Sequence, residues 1–235
     1  MSIPKIMVPE YTVTIPSTLK SIKFRPFLVK ENKILMLAEE SKNIDQIYNA
    51  IIQVISNCTY DKLDISSLST LDLQYLFFKI RAKSMGEVAQ FNVPCKNCQA
   101  KNLVDLNFDN IEIKTIPGHN KKVVLDNESG IVFKYPSLEA EKILLDDTIN
   151  DGEKEVRLIA MCIDYFYNKT DVVYAKDCEE KEVNDFIENL SLENFNKIKY
   201  FFETMPKISY EIKYKCTKCS TEDQIIIENI RDFFT

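Results

Sequence analysis

Four cysteines are the residues of this sequence best suited to do chemistry, because they form two pairs with the same spacing. Cys95 and Cys98 lie in FNVPCKNCQAKNLVDL, and Cys216 and Cys219 lie in YEIKYKCTKCSTEDQIIIENI. Each C-x-x-C step stands between two strand-like runs and resembles a zinc knuckle, a tight turn that points two thiolates in the same direction. Four thiolates are a common ligand set for tetrahedral Zn²⁺ in a closed structural site. The spacing therefore predicts one structural zinc ion per chain.

The separation of the two pairs leaves other chemistry open. Residues 99–215 stand between them, which is unusual for a compact zinc ribbon, so each pair could also be reduced and free or form a local redox disulfide. A redox motif prefers a C-x-x-C step at the start of a helix, whereas both steps lie between predicted strands. Nearby cations favour thiolate over thiol, and four lysines flank the steps: Lys96, Lys101, Lys215 and Lys218. A closed set of four thiolates leaves no open coordination position, so the predicted ion holds structure and does not catalyse.

No other residue pattern indicates an enzyme. The sequence lacks the glycine-rich phosphate loops, the G-x-S-x-G step and the H-E-x-x-H step. His119 is the single histidine, and its turn IPGHN is typical of a solvated surface residue. The three remaining cysteines show no partner spacing, and Cys58 and Cys162 lie in apolar helical patterns typical of a core. We therefore predict no enzymatic activity and no small-molecule substrate.

Composition favours a soluble globular protein. The chain has 235 residues, of which 45% are hydrophobic and 28% charged. The net charge of −6 argues against a general attraction to nucleic acid or to anionic lipid. No apolar run is long enough to span a membrane, and the N-terminal MSIPKIMVPEYTV has no secretion signal. The expected compartment is the reducing cytoplasm, where paired cysteines bind metal more often than they form disulfides.

The order of predicted elements indicates an α+β fold, with helical segments around a β-rich middle and a split zinc-ribbon-like pair of C-x-x-C hairpins. Residues 1–87 are predicted to form a β-hairpin followed by helices. Residues 88–136 and 207–235 are predicted to form the β-rich, zinc-ribbon-like part. Residues 137–206 are predicted to form a helical insertion, and the whole to be one compact unit. In the first helix, apolar residues recur at Val29, Ile34, Leu37 and Ala38.

Two details of this assignment depend on local pattern alone. The stretch EKEVRLIAMCIDYFYN is assigned to one helix because its apolar residues follow a helical period. Aromatic residues number 25 and include no Trp, and most fit core packing at helical spacing. Phe233 and Phe234 at the C-terminus could dock on this chain or on a partner, and the sequence favours neither.

Three segments resemble one protein family. The opening VPEYTVTIPSTLKSIKFRPFLVKENKILMLAEE contains an F-R-P-F-x-V-K-E element at 24–31. The stretch LDLQYLFFKIRAKSMGE and the segment FFETMPKISYEIKY follow in order. Together they are similar to the baseplate hub-subunit family of T-even-type contractile-tailed bacteriophages, and the matches span almost the whole chain.

The resemblance implies a non-enzymatic role in the phage tail baseplate, either as a hub subunit or as a hub assembly factor. It implies protein–protein contacts with other tail and baseplate hub proteins, and a location in the host cytoplasm during assembly or in the virion tail. It carries no catalytic residues, and the zinc prediction rests on the cysteine spacing alone. The alternative is a zinc-ribbon regulator that binds polymerase or nucleic acid, against which the acidic charge balance argues.

Overall fold

The computed structural model describes residues 6–144 and 146–227, and within them the chain forms seven helices and eleven strands. The helices are α1 (Val29–Ser41), α2 (Ile44–Cys58), α3 (Thr70–Met85), α4 (Leu138–Leu144), α5 (Asp151–Cys162), α6 (Glu180–Glu188) and α7 (Leu192–Thr204). The strands are β1 (Tyr11–Thr14), β2 (Ser21–Phe24), β3 (Val88–Pro94), β4 (Lys101–Asn107), β5 (Glu112–Lys114), β6 (Lys122–Val124), β7 (Gly130–Phe133), β8 (Ile163–Tyr167), β9 (Val172–Tyr174), β10 (Lys207–Lys215) and β11 (Glu222–Ile227). The α+β class predicted from the sequence is confirmed. Phe233 and Phe234 lie outside the described residues.

The chain divides into two compact units. Unit 1 comprises Met1–Ile65, Leu71–Lys114 and Lys207–Thr235, and unit 2 comprises Ser66–Thr70 and Thr115–Pro206. Unit 1 therefore gathers the N-terminal elements, the β-rich middle up to β5 and the C-terminal hairpin. Both C-x-x-C steps belong to unit 1.

The N-terminal part of unit 1 contains a β-hairpin followed by helices. Strands β1 and β2 pair antiparallel, with Tyr11 opposite Phe24. Asn43 caps the N-terminus of α2, because its side chain accepts a hydrogen bond from the Gln46 backbone N–H. Its buried residues, among them Ile51, Val54 and Ile55, recur at helical spacing. In α1, by contrast, Leu35 and Ala38 are buried while Val29 and Leu37 are exposed.

A buried ion pair joins the residue after β2 to the first turn of α1. The Glu31 side chain has no exposed surface, and its Oε1 lies 3.0 Å from Nη2 of Arg25. Glu31 Oε2 also accepts a hydrogen bond of 2.8 Å from the Leu28 backbone N–H, which is free at the first turn of the helix. Burial acts to raise the pKa of Glu31, but the hydrogen bonds from Arg25 and Leu28 outweigh it and lower this pKa. Hydrogen bonds from Arg25 and from the Leu28 N–H thus compensate the buried charge of Glu31.

Two small antiparallel sheets complete unit 1. Strands β3 and β4 form a hairpin in which Phe91 lies opposite Val104. A three-stranded sheet has the order β11–β10–β5, so the C-terminal hairpin adds its first strand to β5 from the middle of the chain. Along β4 the buried residues alternate with exposed ones, and Val104 and Leu106 are buried. These two sheets carry the cysteine steps at their hairpin turns.

Unit 2 packs helices against a four-stranded antiparallel sheet in the order β6–β7–β8–β9. Its core contains Ile131 and Phe133 from β7, Ile159 and Cys162 from α5, and Phe201 from α7. The Phe133 and Phe201 rings stack with centroids 4.8 Å apart. Cys162 is fully buried here, as is Cys58 in unit 1, which confirms the core assignment of both residues.

The assignment of 163–167 to a helix was wrong. Helix α5 ends at Cys162, and the next five residues, IDYFY, form β8 between β7 and β9. The run combines a β-branched residue with three aromatics, which suits a pleated strand, and its pairing with β7 outweighs the helical period of the preceding residues. Strand β9, which the sequence analysis did not predict, supplies the neighbour on the other side.

His119 is also not the solvated residue that its turn predicted. Its ring is partly buried among aromatic rings of unit 2, with the Phe201 centroid 5.2 Å away. Thr204 Oγ1 donates to the Tyr200 carbonyl oxygen, so it accepts from His119 Nδ1 at 3.0 Å. His119 Nε2 then accepts from the Tyr135 hydroxyl at 3.2 Å. Both ring nitrogens are satisfied when the imidazole is neutral.

This environment predicts that unit 2 loses stability in mild acid. Burial, with a smaller contribution from Lys121, lowers the pKa of His119 below 6.5, its value in the unfolded chain. Below that value the unfolded chain binds a proton that the folded chain does not, so the free energy of unfolding falls as pH falls toward the folded pKa. Urea unfolding at about pH 7.5 and about pH 5.5 should show a larger acid loss in the wild type than in His119→Gln. Equal losses in both proteins would contradict the prediction.

Candidate metal centre

The two cysteine steps adopt the same backbone turn. In the first, the Cys95 N–H donates to the Ala100 carbonyl oxygen, and the Gln99 N–H donates to the Cys95 carbonyl oxygen, both at 2.9 Å. In the second, Cys216 and Thr221 form the first bond and Ser220 and Cys216 the second, again at 2.9 Å. The residue after the second cysteine has a positive φ of 58° in both turns, at Gln99 and at Ser220. Two segments far apart in the sequence thus build the same knuckle.

The turns bring all four sulfur atoms together. The Sγ atoms of Cys95, Cys98, Cys216 and Cys219 lie within 4.8 Å of one another. The distance from Cys95 to Cys219 is 3.7 Å and that from Cys98 to Cys216 is 3.6 Å. A tetrahedral ion with Zn–S bonds of about 2.3 Å would place its sulfurs about 3.8 Å apart. The arrangement could hold a metal ion, and its size fits that geometry.

Sulfur contacts join one knuckle to the other. All four cysteines are free thiols, and the short distances run from Cys95 to Cys219 and from Cys98 to Cys216. A dithiol redox motif needs only the two cysteines of one C-x-x-C step, whereas here each step also contacts the other. The geometry therefore favours a shared centre over two separate redox pairs.

Polar groups around the sulfurs favour negative charge at some of them. The Thr221 hydroxyl, 3.2 Å from Cys219 Sγ, and the Thr221 backbone N–H lower the pKa of Cys219 to about 6. Backbone N–H groups of Cys219 and Lys218 lower the pKa of Cys216. At Cys98 the Ala100 N–H acts in the same direction, but desolvation and the three neighbouring thiols raise the pKa to about 11. Four clustered thiols do not all ionise without a cation, and a divalent ion would remove that obstacle.

The knuckles are held together by side chains that the cysteine spacing does not reveal. Buried Asn102, on β4, accepts hydrogen bonds through Oδ1 from the Thr217 backbone N–H at 2.9 Å and from the Thr217 hydroxyl at 3.2 Å. Its Nδ2 donates to the Ala100 carbonyl oxygen at 2.9 Å. The Asn102 side-chain amide thus bonds to Ala100 in the first knuckle and to Thr217 in the second. The pattern gives no signal for this role, because a polar residue after a C-x-x-C turn is ordinary.

Lysine was expected to act directly on the thiolates, and the contact found for Lys96 is a different one. Lys96 Nζ pairs with Asp223 at 3.0 Å, and the Asn97 side chain donates to the Thr221 hydroxyl at 3.2 Å. Both contacts run from the first knuckle to the strand that leaves the second. They position the two turns, while the Thr221 hydroxyl and the backbone N–H groups act on the sulfurs.

The comparisons with known proteins give the identity of the family. Residues 8–235 match the family described as T4 bacteriophage base plate protein. The chain is a member of this family. A search of curated proteins and a search of solved structures each gave no match. The resemblance found in the sequence is thereby confirmed at the level of a T4-type baseplate protein.

The described helices of this baseplate protein lack the features of a membrane-spanning helix. Within residues 6–144 and 146–227, no helix is both long enough and apolar enough to cross a membrane.

A substitution at Asn102 tests what holds together the two cysteine turns of this baseplate protein. Asn102→Ala removes the bond between the knuckles and leaves the Thr217 N–H without its acceptor, which should cost about 1–3 kcal/mol of stability. Asn102 holds the two turns that carry the sulfur ligands, so its loss should also weaken metal binding about 10–100-fold. Competition with a chromophoric chelator measures this affinity. Asn92→Ala is the matched control, because Asn92 is an exposed residue of the same type on β3. Equal effects of the two substitutions would argue against the role of Asn102.

Proposed function

We propose that this chain is a non-enzymatic part of the phage tail baseplate, acting as a hub subunit or as a factor that assembles the hub. The observation that carries the proposal is the family match, which extends over residues 8–235 and so includes both units and both knuckles. Its contacts are with other tail and baseplate hub proteins. It works in the host cytoplasm during assembly and, if it is a subunit, stays in the virion tail.

The four cysteines are proposed to hold one structural zinc ion. Cys95, Cys98, Cys216 and Cys219 offer a donor set of four sulfurs at the spacing that tetrahedral zinc requires. Bound there, the ion supplies charge compensation for the thiolates and closes the chain between the β3–β4 hairpin and the β10–β11 hairpin. Because all four positions would be filled by protein, the ion has a structural role. This supports a protein that presents a rigid surface to its partners.

A pull-down tests the baseplate proposal. The full chain, tagged at its N-terminus, is expressed in infected host cells, and the recovered proteins and the purified virions are both read by mass spectrometry. Recovery of tail and baseplate hub proteins is the expected result. Presence in finished virions would identify a subunit, and absence from virions together with recovery of hub proteins would identify an assembly factor. An unrelated tagged cytoplasmic protein is the control.

The same experiment has an outcome that overturns the proposal. Recovery of polymerase subunits or nucleic acid, without tail proteins, would identify a zinc-ribbon regulator instead. That reading also requires affinity for DNA that falls steeply with salt concentration, because phosphate contacts release counterions.

A further inference from the structure

Helix α1 carries an exposed apolar stripe on unit 1. Val29 is 73% exposed, Met36 52% and Leu37 67%, although all three are large hydrophobic residues. At about 100° per residue, positions 29, 33, 36, 37 and 40 fall on one side of the helix. Leu35 and Ala38, which are buried, lie on the other side. A helix that buries one face and exposes a second apolar face has an unfilled contact surface.

Two residues of opposite charge lie along the stripe. Lys33 and Glu40 are exposed and stand seven residues apart on the same side of α1. Neither has an oppositely charged residue three or four positions away, because those positions hold apolar residues, Lys30 or Asn43. Charged pairs within one helix form at these spacings, so α1 itself offers neither residue a partner.

The stripe is self-complementary about its centre, because apolar positions map onto apolar positions and a charge maps onto the opposite charge. Around a midpoint between Met36 and Leu37, these two residues correspond to each other and Lys33 corresponds to Glu40. An antiparallel helix of the same sequence would therefore set apolar residues against apolar residues and each lysine against a glutamate. A twofold interface requires this kind of self-complementarity.

We propose that α1 is a docking surface for a second copy of this chain. The two α1 helices pack antiparallel about a twofold axis at Met36 and Leu37, with Lys33 of each copy facing Glu40 of the other. The partner is identified by charge complementarity, since the stripe presents one positive and one negative end in mirrored positions. A single helix pair is smaller than a standard stable interface, so the dimer is weak and forms at micromolar or higher concentration. The proposal does not depend on the baseplate role.

Sedimentation velocity of the full chain, from low micromolar to several hundred micromolar, tests the proposal. The wild type should shift from monomer to dimer across this range. Lys33→Glu and Glu40→Lys each place like charges together twice and should weaken the dimer by about tenfold or more. The double variant carrying both substitutions restores opposite charges in exchanged positions and should regain the wild-type dissociation constant. A structural role of either charge alone would not produce this rescue.

Two further variants keep the result decisive. Glu39→Lys changes an exposed charge on α1 that lies off the stripe, so its dimer should match the wild type apart from general charge effects. Leu37→Asp should abolish the dimer while leaving the melting temperature unchanged, because the side chain is exposed. A wild type that stays monomeric throughout, a double variant that is not rescued, or equal loss in Glu39→Lys would each overturn the proposal. Capture of another tail protein through the stripe, with a monomeric chain, would overturn it as well.

Discussion

Replacing Cys216 by serine is expected to lower the melting temperature by more than about 10 °C and to abolish stoichiometric zinc. Cys216 is buried, and its sulfur is 3.6 Å from that of Cys98. A structural zinc site forms only in the folded chain, so its binding free energy adds to folding stability. Loss of one ligand from four leaves a site that no longer matches tetrahedral coordination. Zinc content by inductively coupled plasma mass spectrometry and unfolding by calorimetry measure the two effects.

Cys178→Ser is the matched control for this result. Cys178 is a free cysteine outside the cluster, and its Sγ donates to the Tyr174 carbonyl oxygen at 3.5 Å in unit 2. This variant should bind zinc as the wild type does and melt within a few degrees of it. Chelator treatment of the wild type should reproduce the Cys216→Ser melting curve. Metal-free wild-type protein with an unchanged melting temperature would exclude the zinc site.

The second large effect is expected at the buried ion pair of unit 1. Glu31→Gln removes the negative charge but keeps the side chain's size, so it leaves the Arg25 guanidinium buried without its counterion. Breaking such a pair from one side costs about 3–5 kcal/mol, because the remaining charge is neither solvated nor compensated. The Leu28 N–H bond at the start of α1 is weakened at the same time. Urea unfolding at neutral pH measures the loss as a lower midpoint.

An exposed pair of unit 2 provides the comparison. Lys169 and Glu128 lie 2.9 Å apart with side chains 72% and 60% exposed, and Glu128→Gln should cost about 1 kcal/mol or less. Replacing both Arg25 with Met and Glu31 with Gln should cost less than the sum of the two single changes, because no charge is then left unpaired. Additive losses, or a loss at Glu31 no larger than at Glu128, would show that the buried pair is not energetically coupled.

Local sequence signals predicted the parts of the fold that depend on local structure. The C-x-x-C turn fixes the direction of two thiolates by itself, so the two turns predicted one shared cluster of four sulfurs, with two separate pairs as the alternative. Asn43 at the start of α2 is a local signal of the same kind, because its side chain bonds a backbone N–H three residues later. The three family segments identified the family, because they follow one another in order along almost the whole chain.

Contacts between distant residues were the part that the sequence did not reveal. Asn102 gains its role only because β4 lies beside the turn that contains Thr217. His119 is drawn into an aromatic cluster by Phe201 of α7, which a turn signal cannot indicate. Residues 163–167 become a strand because β7 and β9 pair with them. In each case tertiary contact outweighs the local pattern.

The pairing of β5 with β10 has a consequence for how this protein can change. Lys114 at the end of β5 lies opposite Lys207 at the start of β10, and almost all of unit 2 is the chain between them. The chain of unit 2 between these strands therefore begins and ends next to paired residues of β5 and β10. An insertion of this kind can be lengthened, shortened or exchanged while the strand register on either side stays the same. Unit 2 can thus change in evolution while unit 1, with its cluster of four cysteines, keeps its architecture.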